Sequence, residues 1–336
     1  MTQDLVPAGD AIPTVDAELL SDEDAFWMDA APAAEIYGVN TKYRGRYHFP
    51  DPPGYKRAKG QRGFMRMTNL AAAFSDQIRL QLWRERMVLV GIREDEGLLF
   101  DELAAEALEQ KTPEEAREWL QSFANRCADR AGAGVGARRG TARHLMVQNW
   151  MESGTITGHR RMILQLHSLL EALERHHLEP VPGWAERFVC NPRYHVMGKL
   201  DMRVRDLDTG EEGVLDLKTQ RSFWSYLEIA GQQFGYSDAK WAWEGPANDS
   251  GRWVPMPANN LTGLMPENRG KRVALLAHMP HEAGPGQLPV EIHEVSLEFG
   301  EQVLDTALRN VQLRSVGSST AAGRRIGGVR PLRGGL

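Results

Sequence analysis

Hydrophobic residues recur at three- and four-residue spacing along the first half of the chain, which is the spacing of one face of an α-helix. This pattern predicts helices over 68–92, 112–130, 136–154 and 159–177. The second of these begins at Thr112 with acids in its first turn, as capped helices do, and the third ends at Gly154. We expect residues 63–130 to form a helical extension that precedes the main domain.

The hydrophobic pattern then shortens to the alternation of a β-strand. Strand-like segments lie at 185–190, 194–206, 213–219, 272–279 and 289–297. The stretch 206–213 predicts a hairpin loop between the second and third segments. Further helices are predicted over 222–245 and 298–314. This order of helices and strands predicts an α/β domain over 131–314.

The two ends of the chain lack such a pattern. Residues 1–62 are rich in Pro, Gly, Asp and Ala, so we expect an irregular and partly disordered segment there. Residues 315–336 contain four arginines and no acid, which predicts a flexible basic tail that adds contacts to phosphates.

Composition and charge limit the metal sites, the cellular location and the partners to be expected. The chain of 336 residues has two cysteines, Cys127 and Cys190, and neither lies in a CxxC pair, so a cysteine-based metal site is not expected. Neither an apolar run of membrane-spanning length nor a secretion signal is found, and we expect a cytoplasmic protein. Because the net charge is −5, a polyanionic partner must be bound by local positive patches.

An acid and a lysine share one face of an otherwise apolar strand. In "GVLDLKT", Asp216 and Lys218 are two residues apart, while the flanking leucines point to the other face. The predicted hairpin brings Asp201, which ends "GKLD", next to Asp216. Two close carboxylates repel each other, and Mg²⁺ or Mn²⁺ relieves that repulsion. With a lysine to act on water or on phosphate charge, this arrangement predicts metal-assisted phosphodiester hydrolysis. An exposed ion pair on a strand edge is the alternative.

Four short motifs carry a resemblance to a known family. They are "RGTARH" ending at His144, "GKLD" ending at Asp201, "VLDLKT" with Asp216 and Lys218, and "QQFGY" from Gln232 to Tyr236. Their order and spacing resemble the PD-(D/E)XK nucleases, and most closely the RecB-type and CRISPR-associated exonuclease branch found in many bacteriophages. The stretch 63–92 resembles, more loosely, the start of exonuclease-like proteins of actinobacterial phages.

The resemblance implies a fold and a set of site residues. The fold would be a restriction-endonuclease-like core, with a central mixed β-sheet flanked by helices. The implied roles are metal ligands for Asp201, Asp216 and the Leu217 carbonyl, the catalytic lysine for Lys218, a further ligand or an orienting residue for His144, and substrate binding for Gln232 and Tyr236. Glu186, at the start of the strand that precedes "GKLD", is a candidate additional acid.

Two features depart from the family pattern. The four cysteines that hold an iron–sulfur cluster in some members are not present, so no such cluster is expected. The acid that often follows the motif histidine by one helical turn is replaced by Gln148, and the nearest acid is Glu152.

The resemblance predicts a Mg²⁺- or Mn²⁺-dependent exonuclease that acts on DNA with free ends in phage recombination, repair or processing. Its expected location is the cytoplasm of the bacterial host, where a phage single-strand annealing or recombination protein is a candidate partner. An endonuclease or flap-type nuclease on the same core is one alternative, and a non-catalytic DNA-binding or assembly protein is another. A small-molecule hydrolase is disfavoured, because neither G-x-S-x-G nor H-E-x-x-H occurs in the chain.

Overall fold

The computed structural model describes residues 46–57, 63–74, 78–94, 112–156, 158–219, 225–245, 251–280 and 290–321. These ranges contain helices and strands in mixed order, so the prediction of an α/β protein is confirmed. The predictions for residues 1–45 and for the four arginines of the tail lie outside the described residues.

Seven α-helices lie in the described ranges. They are α1 (Met67–Ala72), α2 (Ile78–Glu94), α3 (Pro113–Arg130), α4 (Val135–Ser153), α5 (Arg160–Arg175), α6 (Tyr226–Ser237) and α7 (Leu297–Ala321). Thr112 caps α3 as predicted, because its hydroxyl accepts from the Glu115 N–H while its own N–H donates to the Glu115 carboxylate. Gly154 ends α4 in a left-handed conformation, with φ of 69°. None of the helices within the described ranges is both long and apolar enough to cross a membrane.

Two helix predictions differ from the structure. The helix predicted over 68–92 is divided into two helices, α1 and α2. The last helix continues to Ala321, so the predicted boundary at residue 315 lies inside α7.

The strands form two mixed sheets. They are β1 (Arg46–Tyr47), β2 (Phe64–Arg66), β3 (Leu178–Pro180), β4 (Arg187–Asn191), β5 (Val196–Leu200), β6 (Met202–Asp206), β7 (Glu212–Lys218), β8 (Trp241–Glu244), β9 (Arg252–Pro255), β10 (Val273–His278) and β11 (Glu291–Ser296). One sheet has the order β11-β10-β7-β6-β3, and the other has the order β1-β2-β5-β4-β8-β9. The single central sheet that we expected is therefore two sheets, because the predicted strand 194–206 is divided at Asp201 into β5 and β6, one in each sheet.

The helix predicted over 222–245 is wrong in its second half. Helix α6 ends at Ser237, and residues 241–244 form strand β8 between β4 and β9. Trp243 is buried there against Phe49 and Trp253, with both ring-centroid distances at 5.1 Å. Trp243 lies opposite Trp253 on β9, so this aromatic pair stabilises the strand pairing.

Strand β7 separates two parts of the hydrophobic core. Leu215 and Leu217 pack in a cluster with α4 and α5, while Val214 on the opposite face packs with α1, α6 and α7. Apolar neighbours thus cover both faces of the strand, as is usual for a strand in the interior of an α/β sheet. Asp216 lies in the same strand and needs polar partners, and those partners define the site.

Candidate functional site

The β6–β7 hairpin brings the two predicted acids together. Met202 pairs with Leu215 across the hairpin, so Asp201, immediately before β6, lies beside Asp216. Both are buried, with Asp201 8% exposed and Asp216 1% exposed. One carboxylate oxygen of Asp201 accepts a hydrogen bond from the Leu217 N–H at 2.6 Å, which fixes its orientation. The prediction that the hairpin places the two acids on adjoining strands is confirmed.

The acid and lysine of β7 contact each other and helix α6. The Lys218 ammonium forms an ion pair with Asp216 Oδ2. Gln232 Nε2 donates to Asp216 Oδ1 at 3.3 Å and to the Tyr236 hydroxyl at 3.1 Å. Gln232 Oε1 accepts from Lys218 Nζ at 3.5 Å. Because Asp216 is buried, the alternative of an exposed edge pair is excluded.

A second group of charged residues surrounds Asp201. His144 on α4 contacts Asp201 Oδ1 and Glu186 Oε1 through its Nδ1, each at 3.1 Å. Glu186 lies just before β4 in a left-handed conformation, with φ of 48°, and its N–H donates to the Asp201 carbonyl at 2.8 Å. Lys199 on β5 forms an ion pair with Glu186 Oε2 at 2.6 Å. The candidate additional acid is thus beside the other predicted residues.

Burial and neighbouring charges shift the pKa values of these groups. Burial raises the pKa of Asp216 to about 6, although the Lys218 ammonium opposes this rise. Burial alone would lower the pKa of Lys218, but the Asp216 and Asp201 carboxylates raise it. Burial would likewise lower the pKa of His144, yet Asp201 and Glu186 raise it to about 10. At neutral pH the acids are therefore balanced by a charged lysine and a charged histidine.

All of the site residues predicted from the sequence line a single pocket of about 700 Å³. The residues that share this pocket are His144, Glu186, Asp201, Asp216, Leu217, Lys218, Gln232 and Tyr236. Among these predicted residues, His144 lies on α4, Asp216 to Lys218 lie on β7, and Gln232 and Tyr236 lie on α6. Asp201 lies between β5 and β6, and Glu186 lies just before β4. Carboxylate oxygens with one imidazole are a donor set that suits a hard divalent cation such as Mg²⁺ or Mn²⁺. One ligand atom each of His144, Glu186 and Asp201 lies within 4.8 Å of the others, which is close enough for a shared cation.

Some residues of the pocket were not among the site residues predicted from the sequence. Lys199, Arg66 and Tyr47 also line it. Lys199 could have been found as the charged residue of an otherwise buried strand, two residues before the aspartate of "GKLD". Tyr47 belongs to β1 and Arg66 to β2, and these strands reach the pocket through the pairing of Arg66 with Met197. No local pattern marks that long-range contact.

The glycines of two motifs allow close approach between elements. A β-carbon at Gly198 would lie 2.2 Å from Cε1 of Tyr236, so the strand can pass this ring only with glycine there. A β-carbon at Gly140 on α4 would lie 2.9 Å from Thr219 Oγ1, at the end of β7. These contacts join the four motifs in pairs around the pocket.

No protein-family model matches the chain, and no curated protein matches it either. The function of this protein must therefore be inferred from the geometry and chemistry of this pocket.

We expect metal binding to release about one proton from His144 at pH 8. The pKa of His144 is raised to about 10, so the imidazole is charged at this pH and must lose its proton to bind a metal directly. Asp216, with a pKa of about 6, is already ionised at pH 8, and its protonation below pH 6 will weaken metal binding.

Calorimetric titration of Mn²⁺ in buffers of different ionisation enthalpy measures this release. His144→Asn is the control, and its heat should not depend on the buffer. A buffer-independent heat for the wild type would show that His144 stays charged and orients the carboxylates without binding the metal.

Proposed function

We propose that this protein is a metal-dependent DNA exonuclease built on a PD-(D/E)XK core. The observation that carries the proposal is the convergence of all four motifs on one pocket, in which the buried Asp216 pairs with the partly exposed Lys218. The motifs are spread over 139–236 in the sequence, and the pocket unites them through separate helices and strands. A structural ion pair would not need the further acids, the histidine and the glutamine around it.

The residues around the acids divide into ligands and residues that position them. Asp201, Asp216 and His144 would hold the cation, with the Leu217 carbonyl as a further oxygen donor. A bound Mg²⁺ or Mn²⁺ supplies Lewis-acid chemistry, polarising a phosphodiester and lowering the pKa of water. The Leu217 N–H holds Asp201 by its second oxygen, and Gln232 holds Asp216. Glu186 and its partner Lys199 keep His144 in place.

Lys218 is best suited to stabilise negative charge. Its pKa is raised by the neighbouring carboxylates, so it is protonated at neutral pH and has no free electron pair to accept a proton. An ammonium at this position can donate to a phosphate oxygen as charge develops in the transition state. Its side chain is 21% exposed, so it can reach a substrate from the same place.

The charge of the pocket walls favours a phosphate-containing substrate. The pocket volume of about 700 Å³ lies in the range of small-ligand sites and can admit a nucleotide unit of a DNA strand. Arg66 and Lys199 add positive charge to its walls and are candidate phosphate contacts. The Arg66 guanidinium lies 5.1 Å from the Tyr47 ring centroid, which holds it at the wall of the pocket.

A cleavage assay on end-labelled DNA tests the proposal. Linear duplex, nicked circle, closed circle and single strand would be incubated with Mg²⁺ or Mn²⁺. We expect degradation of the linear substrate, no cutting of the closed circle, and no product with a chelator present. Cutting of the closed circle would identify an endonuclease, and binding without cutting would identify a non-catalytic DNA-binding protein.

We predict that Tyr236→Phe lowers the cleavage rate more than it lowers stability. The hydroxyl accepts one hydrogen bond from Gln232, and loss of such a bond costs about 1 kcal/mol. Gln232 keeps its bond to Asp216, so metal affinity should stay close to that of the wild type. Thermal melting, Mn²⁺ titration and single-turnover cleavage would be measured on the same preparation. Normal activity per folded molecule would show that the hydroxyl supports packing and does not contact substrate.

A further inference from the structure

A second cluster of metal-ligand residues lies at the edge of the five-stranded sheet. His278 ends β10 and Glu291 begins β11, and the antiparallel register places them directly opposite each other. His293 is two residues further along β11 and therefore points to the same face as Glu291. One ligand atom of each of the three side chains lies within 4.8 Å of the other two.

The spacing of these side chains is close to that of a coordinated ion. His293 Nε2 lies 3.3 Å from Glu291 Oε2, and the two imidazole rings have a centroid distance of 6.3 Å. Zinc with ligand bonds of about 2.0–2.2 Å in tetrahedral geometry separates its ligand atoms by about 3.3 Å. The Glu291–His293 pair already has this separation, and the ligand atom of His278 lies within 4.8 Å of those of the other two residues. The backbone positions are fixed, because β10 pairs with β7 on one side and with β11 on the other.

We propose that His278, Glu291 and His293 form a binding site for Zn²⁺ or a similar transition-metal dication. Two imidazoles and one carboxylate favour a borderline metal, whereas the oxygen-rich pocket favours a hard one. The side chains of His293 and Glu291 are 41% and 62% exposed, so an ion can enter from solvent and keep a water as its fourth ligand. The proposal stands apart from the nuclease proposal, because none of the three residues lines the pocket.

A metal at this site would link β11, at the edge of the sheet, to β10, which pairs with the strand that carries Lys218. Strand β11 is the last strand of its sheet, and the ion would link it to β10 by side chains as well as by backbone hydrogen bonds. His278 pairs in register with Lys218, and the next residue, Met279, donates its N–H to the Lys218 carbonyl at 2.8 Å. Binding to the folded state alone raises the melting temperature by mass action, so Zn²⁺ should stabilise the protein.

Zinc titration of the full chain, freed of metal by a chelator, tests the site. We expect a class of Zn²⁺ binding, separate from any zinc held by the carboxylates of the pocket, that His278→Asn and His293→Asn each weaken at least about 10-fold, since each removes one of three ligands. The Zn²⁺-induced rise in melting temperature should fall in the same variants. Glu291→Gln, at an exposed position, tests the carboxylate without a risk to folding.

His177→Asn is the matched control. His177 pairs with the Asp208 carboxylate at 3.0 Å but belongs to neither three-residue cluster, so its loss should leave zinc binding unchanged. Equal zinc affinity and stoichiometry in wild type, His278→Asn and Glu291→Gln would overturn the proposal. Loss of all zinc binding in Asp216→Asn would overturn it as well, by placing the ion in the pocket. A retained zinc site in a protein that cleaves no DNA would support this proposal while refuting only the nuclease.

Discussion

Asp216→Asn and Lys218→Ala will both abolish DNA cleavage, but only Asp216→Asn will weaken metal binding. The amide is a poorer ligand for a hard cation than the carboxylate that it replaces. The Lys218 ammonium contacts Asp216 Oδ2 and competes with a metal for that oxygen, so its removal should leave metal binding intact or strengthen it. Loss of one such electrostatic group typically lowers the rate of catalysis by about 10²–10³-fold, and we expect at least this effect in each variant.

The measurements should be made at pH 8. Removal of the Lys218 charge will raise the pKa of Asp216 above its present value of about 6, and a protonated carboxyl would hide the expected metal binding at lower pH. Mn²⁺ calorimetry, cleavage rates and melting curves would be compared for both variants. Asp208→Asn, on the exposed turn of the same hairpin, and Lys240→Ala, at an exposed lysine outside the pocket, are matched controls that should behave as the wild type.

Two results would contradict these roles. Cleavage at the wild-type rate by either variant would remove the acid–lysine pair from the chemistry, and the nuclease proposal would fail with it. Equal loss of metal affinity in both variants would show that Lys218 supports the metal site and has no separate role in the reaction.

The fold was predictable where local pattern and tertiary contacts agree. Thr112 begins its helix with a side-chain cap, and Gly154 ends its helix in a left-handed conformation, so both boundaries could be predicted from the local sequence. The division of one predicted strand into β5 and β6 at Asp201 could not be predicted. Leu200 and Met202, on either side of Asp201, are both buried, and the hydrophobic pattern of a strand continues across this position. Only the pairing of β5 with β2 and β4, and of β6 with β3 and β7, assigns the two halves to different sheets.

The site was predictable to the extent that its motifs occur in short segments. Asp216 and Lys218 share a strand face, and Gln232 and Tyr236 share a helix face, so the side chains that must act together are marked by spacing alone. Lys199 was missed because a lysine within a strand is ordinarily a solvent-facing residue, and here it bonds to Glu186. The aromatic strand β8 was assigned to a helix because it follows α6 after a short interval, and its pairing with β4, about 50 residues earlier in the chain, leaves no local pattern.

Gly198→Ala is expected to be among the most damaging single substitutions near the pocket. The added β-carbon would lie 2.2 Å from Cε1 of Tyr236 and 2.9 Å from its hydroxyl oxygen, and the ring is buried. Overpacking of this kind costs about 1–3 kcal/mol, or a fall of roughly 2–12 °C in melting temperature for a domain of this size. Cleavage should fall further than stability, because a displaced Tyr236 takes Gln232 with it, and Gln232 contacts both Asp216 and Lys218.

A second substitution distinguishes this contact from a general loss of folding. Tyr236→Ala removes the ring that the new methyl group would strike, so the double variant Gly198→Ala, Tyr236→Ala should lose less stability than the sum of the two single variants. Gly136→Ala is the control, because a β-carbon there meets nothing within 4 Å and alanine favours the helix by up to about 1 kcal/mol. Additive losses in the double variant would mean that Gly198 is needed for its backbone alone. The close approach of β5 to α6 would then not be what joins the "GKLD" and "QQFGY" motifs at the pocket.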